Sequence, residues 1–162
     1  MRELRIRPAR AADAEAITEL VHASSAYQGR YESILDGYAV TGAQVESTVT
    51  FLAEDGGGRV LGCYSLVPGG SNPGGAELDL LFVADEAQGG GLGARLVRHM
   101  LERAGELGLA SVRVVSHPPA EGFYLRTGAR RVGTVRPKPP KVPYARPELR
   151  WDLADRTGGV FV

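Results

Sequence analysis

The sequence is poor in cysteine and lysine, and it has no long apolar run. The single Cys63 excludes an intrachain disulfide, and its apolar surroundings predict a buried thiol in a reducing compartment. No apolar run is long enough to span a bilayer, and neither terminus carries a secretory signal, so we expect a cytoplasmic protein without a membrane partner. Only Lys138 and Lys141 are lysines, while Ala and Gly are abundant, a bias that favours a bacterial source.

An excess of charge of either sign is also missing. Nineteen basic side chains balance nineteen acidic ones, which argues against a nucleic-acid partner held by overall phosphate attraction. His22 and His99 lie on predicted helices without His, Cys or carboxylate partners at ligand spacing, so we expect no metal site. The 162 residues suffice for one hydrophobic core and no linker divides them, which predicts a single domain over residues 1–162.

The glycine-rich segment Gln88-Gly89-Gly90-Gly91-Leu92-Gly93-Ala94 is the most informative part of the chain. It joins an apolar strand, predicted over residues 76–83, to an amphipathic helix that begins near Gly91. Glycines let the backbone approach a ligand closely, and the first N–H groups of a helix have no internal partners. A strand, a glycine-rich turn and a helix N-terminus together predict an anion site, most often one for phosphate.

Three classes of phosphate ligand compete for this loop. A triphosphate-binding loop needs Lys-Ser/Thr after its last glycine, and Ala94-Arg95 follow instead. Gly89, Gly91 and Ala94 satisfy the dinucleotide pattern G-x-G-x-x-G/A. Four residues nevertheless separate the strand from the turn, and the next strand ends without an acidic residue, which disfavours a dinucleotide-binding oxidoreductase. The third pattern is Gln-x-x-Gly-x-Gly, with Gln88 ahead of the glycines.

In that third form the sequence resembles the GNAT superfamily of CoA-dependent N-acyltransferases. Family members typically carry Leu-x-Val-x-x-x-x-Gln/Arg-x-x-Gly-x-Gly/Ala, and residues 81–93 match every fixed position. The family's Ala-x-x-Phe-Tyr-x-x-x-Gly segment is matched downstream by Ala120, Phe123, Tyr124 and Gly128. The segment Ile6-Arg7-Pro8-Ala9 and the residues that follow it resemble the family's opening strand and first helix. These ordered matches span residues 6–128.

Hydrophobic periodicity predicts an α+β (mixed α/β) protein. Helices are expected at residues 13–22, from Leu92 onward with Gly108 as its cap, and at 118–128. Residues 23–47 stay unassigned. Strands are expected at residues 4–7, 48–53, 60–67, 76–83, 111–115, 132–135 and 149–153. The implied architecture is the GNAT fold, a central mixed, mostly antiparallel sheet of about six or seven strands flanked by helices.

The resemblance implies acetyl-CoA as co-substrate. Its pantetheine arm is expected to pair with the backbone of Leu81, Phe82 and Val83. Its pyrophosphate is expected on the N–H groups of residues 88–94. The sequence departs from many relatives in lacking basic residues at Gly89 and Gly90, and in lacking an asparagine before the short helix. His117 stands near that place, either as a substitute hydrogen-bond donor, as a base, or as a structural residue.

Acetyl transfer to an amine requires a neutral nucleophile and a protonated leaving thiolate. A lysine-type amine is neutral in only about one molecule in 2,500 at pH 7, so a general base is useful. Glu77 is the first candidate, because some family members hold a catalytic glutamate at this place, and Asp79 shares its face of the strand. The pair would alternatively bind a cationic substrate or be solvated. Tyr124 is the family-based general acid, and Phe123 is expected to fit the core better than Tyr124.

The resemblance thus implies an N-acetyltransferase that moves an acetyl group from acetyl-CoA to a primary amine of a small molecule, amino acid or peptide, by direct attack in a ternary complex. The alternative is a catalytically silent CoA-binding sensor or structural subunit with the same fold. The acceptor is expected beside residues 27–33 and 136–147. A homodimer is a further expectation, with residues 158–162 pairing across an interface.

Overall fold

The structure, a computed structural model, describes residues 3–27 and 29–153. Within these ranges the α-helices are α1 (Ala14–Ala23), α2 (Gly42–Ser47), α3 (Leu92–Glu106) and α4 (Glu121–Arg126). The strands are β1 (Arg5–Pro8), β2 (Val49–Glu54), β3 (Val60–Pro68), β4 (Ala76–Val83), β5 (Ser111–Val115), β6 (Arg130–Val135) and β7 (Arg146–Asp152). Short 3₁₀ turns cover Ala11–Asp13, Ser25–Tyr27, Gly29–Leu35, Asp85–Ala87 and Pro118–Ala120.

The strands form a mixed sheet of seven strands in the order β1-β2-β3-β4-β5-β7-β6. β4 and β5 are parallel, as their connection through α3 requires, whereas β1–β2, β2–β3, β5–β7 and β6–β7 are antiparallel. The predicted mixed sheet flanked by helices is confirmed. Both strands of the predicted strand–helix–strand unit, β4 and β5, have the bounds that the sequence predicted.

The predicted hairpin of β2 and β3 is also confirmed, and Asp55 stabilises its turn. The Asp55 carboxylate accepts hydrogen bonds from the N–H groups of Gly57 and Arg59 at 2.9 and 3.0 Å. Gly58 takes a left-handed φ of 83°, which a residue with a side chain rarely adopts. The Asp-Gly sequence therefore closes this turn through its own side chain and backbone.

The last strand begins earlier than predicted. β7 starts at Arg146 rather than Leu149, so Arg146 and Pro147 belong to the sheet and not to the proline-rich connection. Pro147 has no N–H to donate, but it lies opposite Thr134 in β6 and its carbonyl accepts from the Ser116 N–H at 2.9 Å. The prediction was wrong here because a proline in the sequence disfavours a strand. The carbonyl of Pro147 can nevertheless accept a hydrogen bond from a neighbouring strand end, so this proline is tolerated in β7.

Residues 23–47, which the sequence left unassigned, are mostly 3₁₀ turns followed by α2. Thr41 caps α2, since its hydroxyl accepts from the Gln44 N–H at 3.0 Å. Val40 is tied to α1, because its N–H donates to Thr18 Oγ1 at 2.9 Å. Side-chain hydrogen bonds and the burial of Val40 and Val45 hold this segment, and no apolar period marks it in the sequence.

The fold divides into two compact units, Met1–Leu66 with Asp79–Leu96 and Val67–Leu78 with Val97–Val162. The first unit buries apolar side chains of α1, β2 and β3, together with Cys63, which is fully buried as predicted. The second buries Val112, Leu149, Trp151 and the apolar face of α3 from Val97 onward. β4 passes from the second unit to the first between Leu78 and Asp79.

Among the described helices, none is both long and apolar enough to cross a membrane. The tail over residues 158–162, expected to pair across a dimer interface, lies outside the described residues.

Candidate functional site

The glycine loop of the first unit is an exposed turn that leads directly into α3. Gly89 and Gly91 take left-handed φ values of 86° and 83°, whereas Gly90 does not. α3 begins at Leu92, and the Arg95 N–H donates back to the Gly91 carbonyl at 3.0 Å. The N–H groups of the three residues before Arg95 therefore point out of the helix N-terminus, where the helix dipole favours an anion. This is the geometry that the sequence predicted for a phosphate site.

Gln88 ties this loop to the end of β4. Its Nε2 donates to the Val83 carbonyl at 3.2 Å and lies 3.5 Å from Asp85 Oδ1. The side chain of this motif glutamine thus contacts the protein's own backbone. In this arrangement Gln88 fixes the exposed loop to the end of β4.

Gly62 of β3, which the sequence analysis did not single out, allows α3 to approach the sheet. A Cβ at this position would lie 2.9 Å from Leu96 Cδ1 and 3.1 Å from the Phe82 carbonyl. Leu92 and Leu96 of α3 are buried against this strand. The absence of a side chain at Gly62 therefore sets how close the first turn of α3 lies to β3 and β4.

The two faces of β4 differ, as strand alternation requires. Leu78, Leu80 and Phe82 are buried, whereas Asp79 is exposed and Glu77, Leu81 and Val83 are half-buried. Glu77 and Asp79 thus share one face of β4, as predicted.

A 3₁₀ turn lies along the end of β4. The ring of Tyr27 packs on Phe82 with centroids 5.5 Å apart, and the Ser25 N–H donates to Asp85 Oδ1 at 3.2 Å. The segment predicted to meet the acceptor therefore begins beside the last residues of this strand.

Tyr38 is a residue of the first unit that sequence reasoning missed. Burial raises the pKa of its phenol, and the negative charge of Asp79 raises it further. Its carbonyl accepts from His22 Nε2 at 2.6 Å, which fixes the backbone next to the phenol. The Tyr38 hydroxyl is buried, whereas the carboxylate of Asp79 is exposed and therefore suited to contact a cationic amine.

In the second unit, Glu77 is held by Arg113 of β5. Arg113 Nη1 donates to Glu77 Oε1 at 2.8 Å, and Arg113 Nε donates to Glu148 Oε2 at 2.6 Å. Burial lowers the pKa of Arg113, but hydrogen bonds and charges from the two glutamates outweigh that effect, so its pKa is raised overall. Glu77 is therefore ion-paired with an arginine and not simply solvated. The sequence signal for this ion pair was Arg113, a single charged residue in the strand Ser111–Val115, and sequence reasoning missed it.

Tyr124, the predicted general acid, is buried in the second unit. It is 7 % exposed, and its ring packs edge-on against Trp151 with centroids 5.5 Å apart. Phe123 is only half-buried, so the expectation that Phe123 fits the core better was wrong. The physical reason is that position 124, not position 123, lies on the face of α4 that packs against Trp151. Two adjacent aromatic residues in a sequence do not show which of them lies on the buried face of a helix.

His117 is buried at the end of β5, where it begins the turn before α4. Its carbonyl accepts from Ser116 Oγ at 2.7 Å and from the Ala120 N–H at 2.9 Å. The other predicted acceptor segment contains a tight turn in which Lys138 and Val142 pair through their backbones, with Lys138 and Lys141 exposed. This turn presents its lysines to solvent.

Across residues 3–27 and 29–153, no group of three or more His, Cys, Asp or Glu side chains has the arrangement of a metal site. Arg95 in the first turn of α3 donates to the Leu4 carbonyl at 3.2 Å. Backbone N–H groups and the dipole of α3 are therefore the features of this loop that favour an anion.

Comparison with protein families gives one match, to the acetyltransferase (GNAT) family, over residues 15–129. No curated protein sequence matches the chain significantly.

Solved structures with a similar fold include three N-acetyltransferases. A GCN5-related N-acetyltransferase from Kribbella flavida is 24% identical, with a TM-score of 0.66 over 93% of this chain and 98% of that one. The ribosomal-protein-S18-alanine N-acetyltransferase from Escherichia coli is 15% identical, with a TM-score of 0.68 over 93% and 94%. The spermidine/spermine N-acetyltransferase from Vibrio cholerae is 16% identical, with a TM-score of 0.69 over 97% and 96%. At these identities the likeness establishes a common fold.

Proposed function

This chain belongs to the GNAT acetyltransferase family, and we propose that it transfers an acetyl group from acetyl-CoA to a primary amine by direct attack in a ternary complex. The observation that carries the proposal is the loop from Gln88 to Ala94. Two left-handed glycines lead into the N-terminus of a 15-residue helix directly after the motif strand. Such a loop offers several backbone N–H donors to one anionic group.

The loop fits the pyrophosphate of acetyl-CoA. A Cβ built on Gly89 or Gly91 meets no atom within 4 Å, so the space around the loop backbone is open. Each favourable interaction of an anion with a helix N-terminus contributes about 0.3 to 1 kcal/mol. Several such interactions would hold the cofactor without a lysine in the loop. The half-buried face of Leu81 and Val83 would accompany the pantetheine arm, and the bound cofactor would supply the thioester.

For the chemistry we assign Glu77 as the general base and Tyr124 as the general acid. Glu77 would accept the proton that the acceptor amine loses, and Tyr124 would protonate the leaving thiolate. Asp79 remains the second candidate base, and its exposed carboxylate suits recognition of a cationic amine. His117 would serve as a hydrogen-bond donor to the cofactor. The structural neighbours act on acceptors as different as spermidine and a protein alanine, so the fold itself leaves the acceptor open.

The first experiment is calorimetric titration of CoA, acetyl-CoA and NAD into three proteins: wild type, Gly91→Ala and Gly90→Ala. Gly91 has a left-handed φ and Gly90 does not, and a Cβ on Gly90 would meet only the Ala87 carbonyl at 3.7 Å. We expect micromolar CoA binding by wild type, at least tenfold weaker binding by Gly91→Ala, and near-normal binding by Gly90→Ala.

A free-thiol assay with a panel of amines then tests transfer. Release of CoA that depends on an amine, and that Glu77→Gln reduces, would support the assignment. CoA binding without transfer to any amine would favour the silent sensor. Binding of NAD in place of CoA would overturn the proposal.

A further inference from the structure

We propose that Arg113 is a positioning residue for Glu77: it anchors Oε1 of that carboxylate and leaves Oε2 to accept the proton of the acceptor amine. The inference rests on the proposed function. As the amine nitrogen forms its bond to the acetyl carbon, the carbon–sulfur bond of the thioester breaks and the thiolate leaves with the proton of Tyr124. The N–H bond of the amine breaks, and its proton bonds to Oε2. Glu77 thereby becomes a neutral carboxylic acid, which later gives its proton to water, and the Tyr124 phenolate regains a proton from water.

The geometry of the pair follows from strand register. Glu77 and Arg113 lie directly side by side in the parallel pair of β4 and β5, which fixes their backbones relative to each other. The side chains are 30% and 17% exposed, so the pair is partly shielded from water. Among residues 3–27 and 29–153, Arg113 Nη1 is the one hydrogen-bond partner of the Glu77 carboxylate, and it contacts Oε1. An oriented base needs this combination of one fixed oxygen and one accessible oxygen.

Glu148 of β7 keeps Arg113 from pairing with Glu77 through both oxygens. Arg113 uses Nε for Glu148 and Nη1 for Glu77, so the guanidinium is shared between two carboxylates. Glu148 is fixed in turn by Gly133 of β6, which lies opposite it. A Cβ on Gly133 would lie 2.9 Å from Glu148 Oε1, so the carboxylate occupies the space that this glycine leaves open. Four neighbouring strands therefore define where the Glu77 carboxylate lies.

Few charged residues surround Glu77 on this face of the sheet. On β4 the next charged residue is Asp79, two positions along the same face. β3, the other neighbour of β4, carries no Asp, Glu, Lys, Arg or His. Beyond Glu148, the charged residues on this face of β7 are Arg146, Arg150 and Asp152, and Asp152 pairs with both Arg130 and Arg150. Among the side chains that the structure describes, Arg113 is the one cation in contact with Glu77, and Glu148 is its competitor.

Substitution of Arg113 should affect kcat far more than KM, because it releases the Glu77 carboxylate and leaves the acetyl-CoA loop intact. Arg113→Gln should lower kcat by about tenfold to a hundredfold while KM for acetyl-CoA changes less than twofold. Arg113→Lys should recover part of that loss. Arg130→Gln, which breaks an ion pair of the same face without touching Glu77, is the matched control.

A double variant separates positioning from structure. If Arg113 acts through Glu77, Arg113→Gln should have no further effect on kcat once Glu77→Gln is present. Additive losses in the double variant would overturn the inference, as would an unchanged kcat in Arg113→Gln.

A crystal structure of Arg113→Gln provides a readout that requires no substrate. The Glu77 carboxylate should leave the position that it holds beside Arg113, whereas in Arg130→Gln it should stay in place. An unmoved carboxylate in Arg113→Gln would overturn the anchoring role of Arg113, whether or not the enzyme is active. Wild-type protein that acetylates no amine would overturn the proposed function and with it the proton transfer to Oε2, while the crystal structure would still decide the anchoring.

Discussion

Trp151 donates its indole N–H to Thr127 Oγ1 at 3.0 Å, and the same hydroxyl donates to the Tyr124 carbonyl at 2.6 Å. The Thr127 side chain thus links the buried Trp151 ring of β7 to the C-terminus of α4. Because Tyr124 also packs edge-on against Trp151, this hydroxyl fixes the backbone and ring of the proposed general acid together.

Thr127→Val should destabilise the protein by about 1 to 3 kcal/mol, because it leaves the buried indole N–H without an acceptor. Thr127→Ser keeps the hydroxyl and should lose less than about 1 kcal/mol. Urea unfolding of the three proteins measures the difference. Equal stability of the valine and serine variants would show that the hydrogen bond does not hold Trp151.

Gly75→Ala should be among the most damaging small substitutions in the second unit. A Cβ at position 75 would lie 2.4 Å from both Asn72 Nδ2 and the Ser111 carbonyl oxygen. Asn72 Nδ2 also donates a hydrogen bond to the Ala76 carbonyl at 3.0 Å. Because this network sets the start of β4 beside β5, we expect a loss of about 3 kcal/mol or more in unfolding free energy.

Gly56→Ala is the matched control for this prediction. Gly56 has no left-handed φ, and a Cβ there would meet no atom within 4 Å. Thermal unfolding should therefore show a large drop in Tm for Gly75→Ala and almost none for Gly56→Ala. Similar Tm values for the two variants would contradict the packing described around Ser111.

Cys63 should make the protein less stable at high pH. Burial raises the pKa of its thiol to about 12, whereas an unfolded thiol titrates near 8.5. Above that ordinary value the unfolded chain loses a proton that the folded chain retains, so stability falls as pH rises through this window. The slope from this group is at most about 1.4 kcal/mol per pH unit.

Cys63→Ala isolates this contribution. The variant should be less stable than wild type at pH 7, because it leaves a cavity, but its stability should fall less steeply between pH 9 and about 12. Guanidinium unfolding at several pH values gives both curves. Parallel curves would mean that the thiol ionises in the folded protein.

The ion pair of Arg7 and Asp13 should govern part of the acid sensitivity of the first unit. Arg7 donates to both carboxylate oxygens of Asp13 at 3.0 Å, and this hydrogen-bonded contact lowers the pKa of Asp13. In the unfolded chain the Asp13 carboxyl protonates near pH 3.9, whereas in the folded protein it protonates only at a lower pH. The stabilisation by the Arg7–Asp13 ion pair is therefore fully present above about pH 3.9 and is lost as pH falls through the pKa of the folded state.

Asp13→Asn should therefore reduce stability at pH 7 by about 1 to 3 kcal/mol and flatten the loss below pH 4. Asp36→Asn removes the same charge from an exposed position and should leave the acid profile unchanged. Thermal unfolding between pH 2.5 and 7 measures both variants. An acid profile of Asp13→Asn that matches wild type would assign the sensitivity to other carboxylates.

Much of the fold was predictable because its decisive patterns are local. The apolar run of β4, the glycine loop and the apolar face of α3 are contiguous in sequence, and their bounds and burial were confirmed. Residue type permits the left-handed φ values at Gly89 and Gly91, since glycine adopts this conformation with little strain. The role of the loop as a cofactor site stays a prediction, as do the single domain and the catalytic residues.

The sequence by itself determined the family, the strand–helix–strand unit and the position of the glycine loop. Tertiary structure alone decided that β7 lies between β5 and β6, which brings Glu148 to Arg113. It also set the parallel register of β4 and β5, which places Arg113 beside Glu77. Likewise it decided that Tyr124 faces Trp151 and that Tyr38 lies near Asp79. The physical reason is that strand order and register join residues up to 49 positions apart through backbone pairing, and no local period in the chain records those distances.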